Sequence, residues 1–341
     1  MFCDISVAYR EPPEWSEPGD EVAHEQFLAA KQAPRAAQKA AGQVELAVEG
    51  DTITVTAGQA IITFSACKGS LTSYRCGGRE MIGRGLDFNF YRAPIDNDIN
   101  LRAEWDQFIL PRLTNVVKEV EVDCDGERAT VRVQKCYAPF VMDWQIDLSV
   151  YYTVTPDGGV RIETQGTPRG KLPSTLPRIG MRFVLDEALE KVSWYGRGPG
   201  ECYRDNKLGC PVGLYQSSVK DLYFPYVVPQ ECGSRADVRW VYLSDGRQGL
   251  CAVGKEPLSF SALHYSMEQL TEARHTDELW PQSDIHLQLD FAQQGLGSAS
   301  WGPGALEQHT LRPEPFAFCW QLFGCESEGI VDRAEAARAA L

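Results

Sequence analysis

The twelve residues from Asn89 to Asn100, NFYRAPIDNDIN, gather side chains that suit the binding of a polyhydroxylated ligand. Sugars offer arrays of hydroxyl groups with apolar faces between them, so charged and amide groups beside aromatic rings are typical of a sugar site. The same residues also fit a structural loop, in which Asp96 and Asn97 cap turns and Arg92 pairs with a carboxylate. On these residues alone, the structural interpretation is favoured.

Three further polar, glycine-rich segments interrupt the apolar patterns where functional loops are expected. They are Trp194 to Gly209, Tyr223 to Trp240 and Asp290 to Gly304. In the first, Glu201, Tyr203 and Asp205 follow a path rich in glycine and proline. This pattern predicts an ordered loop held by a pair between an acidic residue and an arginine. In the second, Glu231 and Arg235 lie four residues apart, which predicts a structural ion pair.

The third of these segments contains Trp301, with Ser300 before it and a Gly-Pro-Gly run after it. An indole on a loop of this composition is a typical platform for stacking on the apolar face of a sugar ring. A tryptophan that packs back onto the fold is the alternative, and composition alone does not decide between the two.

The sequence singles out no catalytic residue and no metal ligand. It has no G-x-S-x-G motif, and its histidines show no H-E-x-x-H spacing. They are His24, His264, His275, His286 and His309. Glycoside hydrolysis needs two carboxylates about 5 to 9 Å apart, and many of the 47 acidic residues could form such a pair.

Charge and composition limit the classes of partner. The 33 basic and 47 acidic residues give a net charge of -14, which argues against nucleic acid and anionic membrane as partners. No apolar run is long enough for a membrane span, and the first residues do not resemble a secretion signal. The eleven cysteines include no C-x-x-C pair, so we expect reduced, mostly buried thiols in a cytoplasmic protein.

Repeated hairpins must position these loops. Runs of β-branched and apolar residues flank short turns, three of which contain Asp-Gly, a strong hairpin signal. The predicted strand pairs are Thr52–Thr56 with Ala60–Phe64, Val116–Val122 with Ala129–Val133, Trp144–Thr155 with Val160–Thr164, and Arg239–Leu243 with Leu250–Val253. The predicted fold is therefore all-β, a large antiparallel β-sandwich, with helix only in the alanine-rich C-terminal tail.

The chain divides into four predicted parts. Residues 1–28 hold two strands, too few for a sandwich of their own. Residues 29–43, which contain almost no large apolar side chain, read as a linker. The main β domain covers residues 44–324, and residues 325–341 form the helical tail.

Four ordered motifs resemble one known family. They are RAPIDND at Arg92 to Asp98, W-Y-G-R-G-P-x-E-x-Y-x-D at Trp194 to Asp205, PQECGSR at Pro229 to Arg235, and QGLGSASWG at Gln294 to Gly302. The same motifs occur in the same order in the C-terminal domain of family-two glycoside hydrolase β-galactosidases. In some bacteria that domain is a separate small subunit. Residues 1–28 resemble the closing strands of the immunoglobulin-like domain that precedes it.

The resemblance implies a supersandwich of the galactose-mutarotase-like type, docked against an α/β barrel that carries both catalytic glutamates. The acid/base carboxylate of such barrels follows an asparagine, and this sequence has no Asn-Glu dipeptide. By resemblance, Trp301 stacks on the aglycone sugar, and Arg92, Asp96, Asn97 and Asp98 shape the rim of the active site. No cofactor is implied for this chain, because Mg²⁺ and Na⁺ or K⁺ belong to the other domains of these enzymes.

The leading hypothesis is a non-catalytic part of a β-galactosidase, either the C-terminal piece of a longer chain or a small subunit. Its partner would be the barrel-bearing portion, its substrate a terminal β-D-galactoside such as lactose, and its assembled form an oligomer. The two strands of residues 1–28 favour a piece of a longer polypeptide. The alternatives are a stand-alone aldose 1-epimerase, which needs a converging acid and base, and a carbohydrate-binding module.

Overall fold

A computed structural model describes residues 2–30 and 41–341 of the chain. The strands are β1 (Phe2–Ala8), β2 (Glu21–Leu28), β3 (Val44–Glu49), β4 (Thr52–Ala57), β5 (Ala60–Ser65), β6 (Ser70–Cys76), β7 (Arg79–Asn89), β8 (Thr114–Cys124), β9 (Ala129–Ala138), β10 (Trp144–Val154), β11 (Val160–Gly170), β12 (Arg178–Leu185), β13 (Lys191–Arg197), β14 (Val212–Ser218), β15 (Arg235–Ser244), β16 (Gln248–Leu263), β17 (Ile285–Gln293) and β18 (Phe316–Glu326). The helices are α1 (Ile99–Gln107), α2 (Val219–Leu222), α3 (Met267–Glu272) and α4 (Ile330–Ala340). Short 3₁₀ turns lie at Asp96–Asp98, Leu110–Arg112, Thr276–Glu278 and Glu307–His309.

Sixteen of the described strands join one antiparallel sheet. Its main path runs β3-β4-β5-β6-β7-β12-β17-β16-β18-β11-β10-β9-β8, and β15 connects β13 and β14 to β16. The two ends of this path approach each other, because the Val44 amide donates to the Gly126 carbonyl in the β8–β9 turn at 3.0 Å. Curling in this way protects the edge strands. The predicted large antiparallel sandwich is confirmed.

All four predicted hairpins form with antiparallel pairing. Strand β10 shows why the prediction works, since buried and partly exposed residues alternate along its whole length. Side chains two apart share one face of a strand, so Ile146, Leu148 and Val150 all enter the core, each at most 1% exposed. The alternation that is visible in the sequence thus fixes which face of the sheet is buried.

The predicted C-terminal helix is confirmed as α4, although β18 extends to Glu326 before the helix begins at Ile330. Ala334 of α4 is fully buried against a small cluster that includes Trp240, Tyr242 and Phe323. The tail is therefore packed on the sheet through Ala334 and Ala337 together with the larger Ile330 and Leu341.

The prediction of helix only at the end of the chain is wrong, because α1, α2 and α3 interrupt the strands. Helix α3 begins with a capping box, in which the Gln269 amide donates to the Ser266 hydroxyl at 3.2 Å and the Ser266 amide donates to Gln269 Oε1 at 3.1 Å. The Ser-x-x-Gln pattern that signals such a start was present in the sequence.

Strands β1 and β2 form a separate two-stranded sheet. Gln26 joins it to β14, because its side-chain amide donates to the Val212 carbonyl at 2.8 Å and accepts from the Val212 amide at 2.7 Å. The assignment of residues 1–28 to an immunoglobulin-like domain stays a prediction. Of the predicted linker, residues 31–40 lie outside the described residues, as does Met1.

All eleven cysteines are free thiols, but only five are buried, so the prediction of mostly buried thiols is wrong. The buried ones are Cys136, Cys202, Cys232, Cys251 and Cys325. Among the helices of the described ranges, none has the length and apolar character needed to cross a bilayer.

A buried ion group lies beneath the polar loops. Arg178 of β12 is fully buried, with its Nε 2.9 Å from Asp290 Oδ1 of β17 and its Nη2 donating to Glu231 Oε1 at 2.7 Å. One guanidinium therefore faces two carboxylates, and burial together with Glu231 raises the pKa of Asp290 to about 7 against the opposing effect of Arg178. This group ties two adjacent strands to the loop that carries Glu231.

We expect Arg178→Met to lower the free energy of unfolding by about 3–5 kcal/mol, because it leaves two carboxylates buried without their cation. The matched control is Arg128→Met, which removes an exposed pair with Asp125 and should change stability by less than about 0.5 kcal/mol. Urea unfolding of both variants measures the difference. An equal loss of unfolding free energy in the two variants would contradict a stabilising role of Arg178 in the buried group.

Candidate functional site

Trp301 stands on the loop after β17, and its side chain is fully exposed. Ser298 closes this loop, since its amide and hydroxyl donate to the Pro303 carbonyl at 3.0 and 3.1 Å and its own carbonyl accepts from the Trp301 amide at 3.1 Å. Gly297 adopts a left-handed φ of +59°, and a Cβ added there would lie 2.5 Å from the Ala305 amide nitrogen. Only glycine fits this position. The turn projects the indole outward, so Trp301 is not packed onto the sandwich.

The side chain of Asn97 holds this loop on both sides of its turn. Its Nδ2 donates to the Gly297 carbonyl at 2.8 Å, and its Oδ1 accepts from the Ser300 amide at 3.1 Å and from the Ser300 hydroxyl at 2.7 Å. One amide thus uses both its donor and its acceptor on the segment that precedes Trp301. The RAPIDND motif and the tryptophan loop are therefore parts of one site.

Asp205 holds the same loop from the Trp194–Gly209 segment. Its two carboxylate oxygens accept from the consecutive amides of Leu296 and Gly297, at 2.9 and 2.8 Å. Hydrogen bonds to an ionised acceptor are stronger than those between neutral groups. Neither Asp205 nor Glu201 pairs with an arginine in the described structure. The predicted pair between an acidic residue and an arginine is instead made by Arg197 of this segment, whose Nε donates to Asp237 Oδ2 at 2.6 Å.

Arg92 and Asp98 lie beneath the rim and are almost completely buried. The guanidinium Nη2 donates to Asp98 Oδ1 at 2.8 Å, and its Nε donates to Oδ2 at 3.2 Å. Arg92 Nη1 also donates to the Gln294 carbonyl at 2.6 Å, at the start of the tryptophan loop. The predicted pairing of Arg92 with a carboxylate is confirmed. Neither side chain can reach a ligand, so both act by holding the backbone of the rim.

Asp96 is the exposed member of the predicted rim. Its backbone amide donates to Gln230 Oε1 at 3.0 Å, which fixes the position of the residue. Within the described part of the chain, its carboxylate has no hydrogen-bond or ionic partner. Asp96 and the half-buried Asn97 are therefore the two predicted rim residues with polar groups near the surface.

The Glu201 carboxylate accepts hydrogen bonds from one hydroxyl group and one backbone amide. It accepts hydrogen bonds from the Tyr226 hydroxyl and, at 2.8 Å, from the Gly233 amide. Burial, together with the neighbouring Glu201 carboxylate, raises the pKa of Tyr226, which keeps this hydroxyl a donor. The Trp194–Gly209 segment is thereby joined to the Tyr223–Trp240 segment.

Glu231 and Arg235 do not pair with each other, and that prediction is wrong. Glu231 accepts from Arg178, as described above, while Arg235 donates to the Pro199 carbonyl at 3.0 Å and lies over the Trp194 ring at 5.5 Å. Positive φ at Gly233 turns the chain between them, so the spacing of four residues does not bring the side chains together. Both residues are structural, in agreement with the broader prediction.

Tyr203 is a buried residue of the same region. Its side chain is 4% exposed, and burial raises its pKa well above that of a free tyrosine, with Glu231 and Glu201 adding to the shift. Its hydroxyl has no hydrogen-bond partner among the described residues. We find no role for Tyr203 beyond packing under the loops.

A wide groove adjoins Asp96, with a volume of about 1080 Å³. Ile99, Phe140 and Val228 line it, although they are 66%, 77% and 47% exposed. This surface was not predicted from the sequence. An apolar pattern in the sequence predicts only which side of a helix or strand is buried. It does not show which exposed apolar side chains of separate elements come together in the fold.

The described ranges contain no group of three or more histidine, cysteine or acidic side chains arranged to hold a metal ion. The placement of cofactors in other domains stays a prediction. Two further residues of the site, Gln230 and Gln294, were not predicted from the sequence. The Gln230 side chain accepts from the Asp96 amide, and the Gln294 side chain accepts from the Leu311 amide at 2.7 Å, which ties the tryptophan segment to the chain that follows it. Both residues lie inside the quoted motifs, and this position was the one feature of the sequence that could have identified them.

Comparison with known proteins gives a consistent picture. The family model described as "Beta galactosidase small chain" matches residues 56–322. A β-galactosidase of Priestia megaterium is 30% identical over 315 residues, which cover 90% of this chain and 30% of that protein. A β-galactosidase of Aeromonas hydrophila is 31% identical over 331 residues, covering 92% of this chain and 31% of that protein. The chain thus spans about three tenths of the length of these curated relatives.

Two solved structures from Lactobacillus acidophilus are also similar. A galactose mutarotase related enzyme has a TM-score of 0.42 and 10% identity, covering 80% of this chain and 97% of that one. A galactose 1-epimerase has a TM-score of 0.43 and 11% identity, covering 84% and 99%. The family model matches most of the chain, including all four motifs. The chain therefore belongs to the β-galactosidase small chain family.

Proposed function

We propose that this chain is a non-catalytic portion of a β-galactosidase that hydrolyses terminal β-D-galactosides. The observation that carries the proposal is a fully exposed Trp301 on a loop held by Asn97 and Asp205. An aromatic ring on a loop whose backbone is already fixed binds a sugar face with less loss of conformational entropy than a ring on a free loop. Relatives named β-galactosidase support the substrate class, with the matched region forming only part of each.

The partner in this proposal is an α/β barrel that carries both catalytic glutamates, on another part of the polypeptide or on a large subunit. The groove beside Asp96 supports docking at this side of the molecule, because Ile99 and Phe140 expose large apolar side chains there. Exposed apolar clusters rimmed by polar groups are typical of interaction surfaces. Mg²⁺ and Na⁺ or K⁺ sites belong to the partner, and the assembled enzyme is an oligomer in the cytoplasm.

In this arrangement each side chain has a defined task. Trp301 stacks on the aglycone sugar at the mouth of the barrel, and Asp96 and Asn97 form the rim next to it. Arg92 and Asp98 keep the rim backbone in place from beneath. Proton transfer and nucleophilic attack are supplied by the barrel, so this chain contributes binding energy and shape.

The proposal is tested by measuring hydrolysis of a nitrophenyl β-galactoside. The isolated 341-residue chain is expected to show none, and mixing it with its barrel-bearing counterpart is expected to restore turnover. Polarimetry on freshly dissolved galactose serves as a control for epimerase activity, which should be absent. Robust hydrolysis by the isolated chain would contradict a non-catalytic role.

In the assembled enzyme, Trp301→Ala should weaken binding of substrates with a large aglycone by about 1–3 kcal/mol, the contribution expected of one large aromatic face. Values of kcat and KM for lactose and for a small-aglycone galactoside measure the effect, which should be smaller for the latter. Trp280→Ala is the matched control, because Trp280 is also exposed, at 72%, but lies on a different loop. Unchanged kinetics in Trp301→Ala would show that the ring does not contact the substrate.

Asn97→Ala should weaken large-aglycone binding in the same direction as Trp301→Ala, although Trp301 itself is retained. Losing hydrogen bonds to Gly297 and Ser300 frees the loop, and each such bond contributes about 0.5–1.5 kcal/mol. In the double variant the two losses of binding free energy should not add, because the freedom of the loop affects substrate binding only while Trp301 is present. Full additivity would mean that Asn97 acts independently of Trp301.

A further inference from the structure

A second groove, of about 580 Å³, crosses the sheet and shares no lining residue with the tryptophan loop. Residues of β6, β7, β12 and β17 and the start of α3 line it. Asp87, Arg182 and Gln288 occupy one cross-strand row, since Arg182 pairs in register with both of the others. Residues in such a row point to the same face of a sheet, so three hydrogen-bonding groups lie side by side in the groove.

Apart from Lys68, which is exposed and forms no ion pair among the described residues, the charged side chains that line this groove are already paired. Arg182 Nη1 donates to Glu268 Oε1 at 2.6 Å, and its Nη2 donates to Asp87 Oδ2 at 3.3 Å. Arg84, at the same groove, pairs with Asp284 at 2.6 Å. A charged ligand that lies over the row of Asp87, Arg182 and Gln288 would have to displace one of these pairs. The groove therefore favours a neutral ligand that exchanges many hydrogen bonds.

Gln288 supplies an unused donor. Its side chain is 8% exposed, and its Oε1 accepts from Asn89 Nδ2 at 3.1 Å. Its Nε2 meets no acceptor elsewhere in the described part of the chain. Because Gln288 lines the groove, this N–H group is free to donate a hydrogen bond to an acceptor that enters it. Met267 also lines the groove and offers a polarisable apolar surface beside these polar groups.

We propose that this groove binds a neutral polyhydroxylated ligand, namely a monosaccharide ring. Ring hydroxyls match the row formed by Asp87, Arg182 and Gln288, and the apolar C–H face of a sugar matches Met267. The volume lies within the range of small-molecule sites in proteins, about 300–1,000 Å³. The proposal goes beyond the role at the barrel, because it concerns a site made by this chain alone.

The test is titration of the full 341-residue chain with D-galactose and D-glucose, followed by calorimetry or ligand-observed NMR. Gly83 lines the groove, and a Cβ added there meets no atom within 4 Å, so Gly83→Leu adds a bulky side chain at the groove without a clash at its Cβ. Gly209→Leu is the matched control, since that glycine is equally open but lies outside the groove. Gln288→Leu removes the unused donor at similar volume.

Binding of at least one sugar is expected, weakened about 10-fold or more by Gly83→Leu and by Gln288→Leu and unchanged in Gly209→Leu. Thermal unfolding checks that the variants are folded. If Gln288→Leu fails to fold, Gly83→Leu alone decides. No binding by the wild-type chain would overturn the proposal, as would equal binding by wild type and Gly83→Leu. Binding that is lost in Trp301→Ala but kept in Gly83→Leu would place the sugar on the tryptophan loop and would also overturn it.

Discussion

A guanidinium group removed from water has to be neutralised and hydrogen-bonded on several sides, and Arg92 meets this requirement with one carboxylate and one carbonyl. The carboxylate is Asp98, six residues along the chain, and the carbonyl belongs to Gln294, more than two hundred residues away. The rim and the tryptophan loop therefore cannot separate without leaving a charge buried and partly unpaired. Asn97 and Asp205 then fix the loop itself, so the exposed position of Trp301 depends on a buried ion pair.

A second buried ion group, on the neighbouring strand, acts in the same way. Arg178, Asp290 and Glu231 are buried together, and they hold β12, β17 and the loop after α2 in register. Buried ion groups of this kind add little net stability compared with apolar packing, because desolvation offsets their attraction. Their value here is geometric. Loops that carry exposed polar and aromatic groups have few apolar contacts of their own, and directional bonds to buried charges fix them instead.

Local patterns explain what the sequence could predict. Alternation and Asp-Gly turns depend on neighbours in the chain, so the four hairpins and the all-β class followed directly. The pairing of Arg92 with a carboxylate also followed, because Asp98 is close in sequence. By contrast, Glu231 takes Arg178 as its partner, 53 residues away, in place of Arg235, four residues away. Such a choice depends on strand order, which no local pattern contains.

Exposure was the other property that sequence could not decide. Trp105 lies among charged residues of α1 and Trp301 among small residues of a loop, yet Trp105 is fully buried beside Arg92 and Trp301 is fully exposed. The apolar groove beside Asp96 and the polar groove at Gln288 are likewise formed by residues from separate elements. The four motifs lie in loops that contact one another in the fold, but only packing shows which side chains support the backbone and which face solvent.

The most direct measurement is a structure of the assembled enzyme with a non-hydrolysable galactoside of large aglycone bound in the barrel, solved by crystallography or cryo-electron microscopy. The Trp301 ring is expected in van der Waals contact with the aglycone sugar, with Asn97 and Asp205 still bonded to its loop. A Trp301 side chain that packs against protein, away from the aglycone, would contradict the proposed role of this chain.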